Sequence, residues 1–319
     1  MIVLSLFDGM SCGRIALERA GIPVTRYFAS EIDKWAIKAS KHNWKDITHI
    51  GDVTKIRYEN GTLYYEDGET YIGKVDILLA GSPCQGFSTA GKGLAFDDPR
   101  SALYFEFERL KNETNPRYWL LENVKMKQEY KDIITKRLGV VPVVINSNLV
   151  SAQNRYRLYW SNVAVTQPSD RGLVLQDILQ PAVDDKYYVK GGRLSWLQKF
   201  GEVKERGGYV AFNPTKAKCL TVRAELSWNC TYILQWPHGG NAGGIRAIDG
   251  KVPSLTTSSW PANNLLLREG VVRKLTPIEC ERLQTIPDNY TACVSDSQRY
   301  KMLGNGWTVD VISHILSSI

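Results

Sequence analysis

Cys84 stands in Ser82-Pro83-Cys84-Gln85, directly after the apolar run Val75-Asp76-Ile77-Leu78-Leu79-Ala80, which reads as a buried parallel strand ending in a turn. A thiol at the carboxyl end of such a strand faces the edge of an open α/β sheet where ligands bind, and it is a nucleophile if the chain also supplies a cofactor site and an acid. The bland alternative is a buried structural cysteine, the ordinary fate of this residue type. A second constellation begins at Phe7-Asp8-Gly9-Met10-Ser11-Cys12-Gly13, a turn of small residues between a first strand and a helix. Small residues let a backbone approach a ligand closely and let a helix start aim free N–H groups at it. The turn is not a Gly-x-Gly-x-x-Gly fingerprint. Glu31, at the end of the second strand, stands where a carboxylate grips ribose hydroxyls, and Asp52, after the third, could accept from an adenine amino group. Each acid alone reads as a solvated loop charge; three features at successive strand ends read as a nucleotide-like site.

These residues need a scaffold that brings strand ends together. From residue 1 to about 165 the pattern alternates strand, turn and helix: strands over 2–7, 25–30, 47–50, 75–80, 118–121 and 141–146, helices over 14–20 and 34–42. Such alternation predicts a doubly wound, mostly parallel α/β sheet. Between the third and fourth strands, Tyr58-Glu59-Asn60-Gly61 and Glu66-Asp67-Gly68 with interleaved tyrosines predict a small β-meander insertion. From 175 to 270 the βα alternation stops, and a stretch rich in Gly, Trp, Thr and Asn predicts a second, smaller, irregular β-rich domain. Its two phrases Lys216-Ala217-Lys218-Cys219-Leu220-Thr221 and Lys251-Val252-Pro253-Ser254-Leu255-Thr256 read as loosely related strands, too short for a repeat architecture.

Composition narrows the partners. The chain of 319 residues is long enough for one large or two moderate domains, and 43% hydrophobic residues is ordinary for a globular protein. No stretch has the uninterrupted apolar length of a membrane span, and the amino terminus lacks a basic segment and a signal cleavage pattern. Six cysteines, widely spread with no Cys-x-x-Cys pair, predict free thiols, a reducing cytoplasmic compartment and no metal site. The net charge of +7 and pI near 9.0 suit a polyanionic partner. Residues 175–270 hold 12 Lys/Arg against 8 Asp/Glu, so this segment carries +4 of the +7.

The motifs, in this order, resemble those of the cytosine-C5 DNA methyltransferase family, and the resemblance runs through nearly the whole chain. Phe7-x-Gly9 resembles its S-adenosylmethionine loop, in a form close to the animal de novo branch, and Gly81-Ser82-Pro83-Cys84-Gln85-Gly86-Phe87-Ser88 resembles its nucleophile motif. Leu121-Glu122-Asn123-Val124 is similar to its Glu-Asn-Val motif and Gln153-Asn154-Arg155-Tyr156-Arg157 to its Gln-x-Arg-x-Arg motif. Arg273-Lys274-Leu275-Thr276-Pro277 through Asp288 is similar to its hinge motif, and Gly304-Asn305-Gly306-Trp307-Thr308-Val309 to its last motif. Ser11 departs from the glycine usual in bacterial members, with little effect expected.

The resemblance implies methyl transfer from S-adenosylmethionine to C5 of a flipped-out cytosine in a specific duplex sequence, through a covalent Cys–C6 adduct and with no metal. It implies Cys84 as nucleophile, Glu122 as the acid at N3, and Arg155 and Arg157 as holders of the base O2 and braces of the thiolate and nearby backbone. Phe7, Gly9, Ser11, Gly13, Glu31, Asp52, Val53, Pro83, Leu103, Asn305 and Trp307 would form the cofactor site, Phe7 and Trp307 having ordinary core packing as their bland alternative. The segment from Gly86 to Arg100 resembles the catalytic loop that closes over DNA, with Gln85, Ser88 and Arg100 as contacts. Base-edge readers would come from Arg223, Asn229, Arg246, Asn263 or Asn264, each equally readable as a turn residue or phosphate contact. The expected organisation is a catalytic domain of 1–174 plus 298–319, a target-recognition domain of 175–270 and a hinge of 271–297. A monomeric bacterial or phage modification enzyme is expected, with room for a cognate restriction endonuclease acting independently. Two alternatives stay open: a tRNA cytosine-5 methyltransferase, whose Cys-Phe-Thr signature has only Cys219-Leu220-Thr221 as counterpart, and a catalytically silent DNA-binding paralogue.

Overall fold

Period-2 alternation builds the centre of the molecule. In β1 (Ile2–Leu6), Val3 points into one core, while Leu4 and Leu6 point into the other. The computed structural model describes residues 1–82, 102–188, 232–235, 244–247, 252–253, 265–268 and 271–319. The helix α1 (Cys12–Arg19) follows, then β2 (Arg26–Ser30), α2 (Lys34–Asn43) and β3 (Ile47–Gly51). The insertion is the expected three-stranded antiparallel meander: β4 (Arg57–Glu59), β5 (Thr62–Tyr65) and β6 (Gly68–Tyr71). The chain continues through β7 (Ile77–Gly81), α3 (Ala102–Thr114), β8 (Tyr118–Val124), α4 (Gln128–Leu138), β9 (Val143–Asn146), β10 (Gln153–Asn154), β11 (Tyr156–Ser161) and the short α5 (Leu175–Ile178).

Seven strands form one sheet in the order β3-β2-β1-β7-β8-β11-β9. Pairing is parallel from β3 through to β8, and only β11 runs against its neighbours. Chain order runs outward from β1 to β3 on one side and restarts at β7 on the other, so the topological switch point lies between β1 and β7, where open α/β sheets bind ligands. Ile15 and Leu17 of α1 and Ala36 and Ala39 of α2 cover one face, joined by Ile312 and Ile315 from the carboxyl end. Phe107 and Leu110 of α3 and Ile134 and Leu138 of α4 cover the other. The result is a mixed α/β, three-layer arrangement with a parallel-dominated sheet.

Two expected boundaries move. β8 runs three residues past Leu121, so Glu122 and Asn123 lie on the strand itself, and β11, absent from the expected strands, occupies the second half of the Gln-x-Arg-x-Arg segment. Beyond residue 188 the described strands β12 (Tyr232–Gln235), β13 (Gly244–Ala247), β15 (Leu265–Arg268) and β16 (Val271–Lys274) make an antiparallel sheet, while β14 (Val252–Pro253) pairs with β10. β15 and β16 pair antiparallel as neighbours in that sheet. α6 (Pro277–Leu283), α7 (Asp296–Asn305) and α8 (Val309–Leu316) return the chain to the sheet. α8 packs on α1, and Arg19 and Asp310 form an ion pair of 2.6 Å between them. No helix among the described residues is long and apolar enough to cross a membrane.

Candidate active site

Strand register brings the acid to the nucleophile motif. Gly81, the last residue of β7, pairs with Glu122 of β8, and Asn123 donates from Nδ2 to Ser82 Oγ at 3.0 Å. On the other side of β8, Glu122 pairs with Tyr159 of the antiparallel β11. Arg157, two residues from Tyr159, is therefore a diagonal neighbour on the same face, within reach of a long side chain. Its Nε lies 2.9 Å from Glu122 Oε1. The second oxygen, Oε2, accepts from the indole Nε1 of Trp307 at 3.2 Å. Glu122 is buried, and its carboxylate is held by one donor on each oxygen.

Arg155 is buried and turned the other way. Its Nη2 donates to the carbonyls of Gly304 (3.1 Å) and Gly306 (3.0 Å), tying the arginine motif to the last motif of the chain. Gln153 donates from Nε2 to the Leu283 carbonyl (2.8 Å) and to Gln284 Oε1 (3.0 Å), tying it to the hinge motif as well.

A cavity of about 460 Å³ opens at the switch point, within the size range of small-molecule sites. Of the expected cofactor residues, Phe7, Gly9, Glu31, Asp52, Val53, Leu103, Asn305 and Trp307 line it, and so do Glu122, Arg155 and Arg157. One cavity thus holds the cofactor candidates and the acid with its two arginines. Ser11 and Gly13 lie behind the lining. Pro83, Cys84, Gln85, Ser88, Arg100, Arg223, Asn229, Asn263 and Asn264 fall outside the described residues, and Arg246 belongs to β13.

The loop between β1 and α1 is bent by three left-handed residues, Phe7 (φ 56°), Gly9 (φ 60°) and Ser11 (φ 65°). For a serine that conformation costs about 1–2 kcal/mol, and its buried hydroxyl offsets this by bonding Asp8 Oδ2 and Ser40 Oγ, both at 2.6 Å. Glu31 Oε2 accepts from Gly9 N at 2.8 Å, while Oε1 accepts from the backbone of Ile32 and Asp33. An ionised carboxylate has about four lone-pair sites, so one on Oε2 stays available to the cavity. Asp52 caps the turn after β3 with Oδ1, which accepts from Thr54 N and Oγ1.

Ile32 and Asp8 are among the lining residues that escaped the sequence reading. Ile32 is 74% exposed at the cavity rim, an apolar face beside Glu31; the clue was one apolar residue in an otherwise charged stretch, Glu31-Ile32-Asp33-Lys34. Asp8 is buried under the loop, where Tyr27 Oη donates to its Oδ1 at 2.6 Å. Burial pushes its carboxyl up to about 6, with nearby Glu31 adding to the shift and the Ser11 and Tyr27 hydroxyls opposing it. Cys12 also lines the cavity, but burial pushes its thiol up to about 12, and Cys280 is raised well above the usual range for the same reason. Neither supplies thiolate near neutral pH, so neither competes for the role of nucleophile.

The Type II methyltransferase M1.ScrFI of Lactococcus lactis subsp. cremoris is 32% identical over 98% of this chain and 76% of its own length. The Type II methyltransferase M.HpaII of Haemophilus parainfluenzae is 30% identical over 97% of this chain and 86% of its own. Among solved structures, the S. pombe Dnmt2 methyltransferase superposes with a TM-score of 0.68 over 99% of this chain and 97% of that one, at 19% identity, a likeness of fold. The family model for C-5 cytosine-specific DNA methylases matches residues 1–319. With the site's acid and arginines gathered at the switch point of a matching fold, the chain belongs to the C-5 cytosine-specific DNA methylase family.

Proposed function

We propose that the protein transfers a methyl group from S-adenosylmethionine to C5 of a cytosine flipped out of duplex DNA, at one specific short sequence. The observation that carries this reading is the single cavity in which Glu122, oriented by Arg157 and Trp307, shares walls with Phe7, Glu31 and Asp52. The lining suits the cofactor. Glu31 and Asp52 offer carboxylate lone pairs to ribose and adenine, Phe7, Ile32 and Trp307 offer apolar faces, and the volume matches a ligand of that size. Bound S-adenosylmethionine supplies an electrophilic methyl group on a sulfonium and leaves as S-adenosylhomocysteine.

The remaining work belongs to the chain. Cytosine C5 is a poor nucleophile, and addition of the Cys84 thiolate to C6 makes it enamine-like. Cys84 follows Ser82, which Asn123 anchors beside Glu122, by two residues in sequence. Charge building on the ring toward N3 is relieved by a proton or hydrogen bond shared with Glu122. Arg157 holds that carboxylate and offers its remaining donors to the base O2, a task suited to the guanidinium fork. Arg155 braces the backbone at Gly304 and Gly306. After transfer the C5 proton leaves and the thiol is eliminated, which returns Cys84 to its starting state.

A base within a duplex cannot reach a buried site, so the target is extruded, and the loop from Gly86 to Arg100 closes over it with Gln85, Ser88 and Arg100 in contact. The domain division at 174, 270 and 297 belongs to this proposal, with 175–270 as the recognition domain, basic by +4 and contributing Arg223 and Arg246. The type II designation of the relatives supports a modification enzyme; the proposal takes it as a cytoplasmic monomer that acts independently of any cognate endonuclease.

Cys84→Ala is expected to abolish transfer while S-adenosylmethionine affinity stays within about threefold, and Glu122→Gln to slow turnover by about 10²–10⁴-fold. Single-turnover assays with labelled cofactor and calorimetric binding read both; an active alanine variant would remove Cys84 as nucleophile.

A further inference from the structure

Trp307 lies between α7 and α8, on backbone clamped from both sides. The carbonyl of Gly306 accepts from Arg155 and from Gln284 Nε2 (3.0 and 3.2 Å), and the Thr308 hydroxyl bonds Gln284 Oε1 (3.0 Å) and Ser147 Oγ (2.9 Å). The indole presented from this rigid segment is only 9% exposed. One of its edges packs against the end of β7: a Cβ on Gly81 would come within 2.7 Å of the indole nitrogen. The six-membered ring reaches toward α1, 3.5 Å from where a Cβ on Gly13 would stand. Gly81 of the nucleophile motif therefore makes room for this ring, while the absent Cβ of Gly13 makes room for Tyr27 and Leu79, with the indole at ordinary contact distance beyond them.

An indole N–H is a donor only, and when buried it needs an acceptor. Here the acceptor is Glu122 Oε2. Arg157 engages Oε1 from β11, so the carboxylate is fixed between donors from two separate parts of the fold. Each oxygen keeps a lone pair for the base. The same ring forms part of the cofactor cavity wall.

From this geometry we infer that Trp307 is a positioning residue for the acid: its N–H sets the plane of the Glu122 carboxylate, and its ring couples filling of the cofactor cavity to that orientation. The inference rests on the proposed role of Glu122 and assigns Trp307 more than a cofactor-wall function.

Trp307→Phe keeps an aromatic ring between Gly81 and Gly13 and removes the donor. The expected result is a fall in kcat of about tenfold to a hundredfold, the worth of a hydrogen bond to a charged group. The Kd for S-adenosylmethionine should stay within about threefold, and the acid limb of the kcat–pH profile should move. In a Glu122→Gln background the same substitution should cost less than about threefold, because its effect acts through the acid. Benzothienylalanine at position 307, which replaces N–H by sulfur in nearly the same shape, should reproduce the loss and serves if the phenylalanine variant does not fold. Unchanged kcat with a raised KM for the cofactor, or losses that multiply in the double variant, would overturn the inference. A fully active Glu122→Gln single variant would instead remove the reading on which it rests.

Discussion

Asp8 shows what a single residue type contributes when its surroundings are known. It lies in a turn whose small neighbours indicated close packing, yet no spacing rule linked it to Tyr27 or Ser11, because both hydrogen bonds depend on how tightly the loop folds over the sheet. That Glu122, Arg155 and Arg157 line one cavity was legible because their neighbours in the chain form motifs, whereas Asp8 and the N–H of Trp307 meet Tyr27 and Glu122, partners distant in sequence. With a folded value of about 6 against 3.8 unfolded, Asp8 binds its proton more tightly in the folded state. Its contribution to stability is therefore lost as pH rises through about 6 and present in full below about 4. Relative to Asp8→Asn, the wild-type protein should gain on the order of 1 kcal/mol between pH 7 and pH 5, read from urea denaturation at both values. A difference that does not vary with pH would mean that Asp8 does not titrate in this range. The groups facing it are Ser5 of β1, Tyr27 of β2, Glu31 just past its end, Ser11 of the loop, Cys12 of α1 and Tyr290.

At the scale of elements, the periodic strands together with α1 and α2 were readable, whereas α6 was not read as a helix although its start carries a capping signature. The Thr276-Pro277-x-Glu279 start of α6 carries a capping box: the Thr276 hydroxyl accepts from Glu279 N at 3.2 Å and Glu279 Oε2 accepts from Thr276 N at 2.8 Å. Glu279 is fully buried and also binds Arg273 through both oxygens, at 2.7 and 2.8 Å, which anchors the β15–β16 hairpin to the helix. Thr276→Ala should cost about 1–2 kcal/mol and Thr276→Ser much less, measured as a shift in the urea midpoint; equal losses for both would indicate that the methyl group, not the cap, matters. β11 was missed because Tyr156-Arg157-Leu158-Tyr159-Trp160-Ser161 alternates poorly: it is an internal strand that carries Arg157, the ion-pair partner of Glu122. The end of β8 was cut short for a similar reason, since Glu122 and Asn123 are polar residues kept inside by their partners.

For the whole molecule, the strand order and the cavity place the site together. A sheet that restarts at β7 after β3 leaves a crevice, and the first and last motifs of the chain meet there because α7 and α8 return the chain to the sheet. What sequence could not supply was the internal arrangement of 175–270, whose short strands carry little periodicity and whose composition gives only a basic lean. Methyl transfer to cytosine in duplex DNA can be read directly. The most direct measurement supplies labelled S-adenosylmethionine with unmethylated genomic DNA and, separately, total tRNA, and maps 5-methylcytosine at base resolution in whichever takes up label. The account predicts labelled DNA with methylcytosine confined to one short sequence context; label in tRNA alone, or in neither, would contradict it.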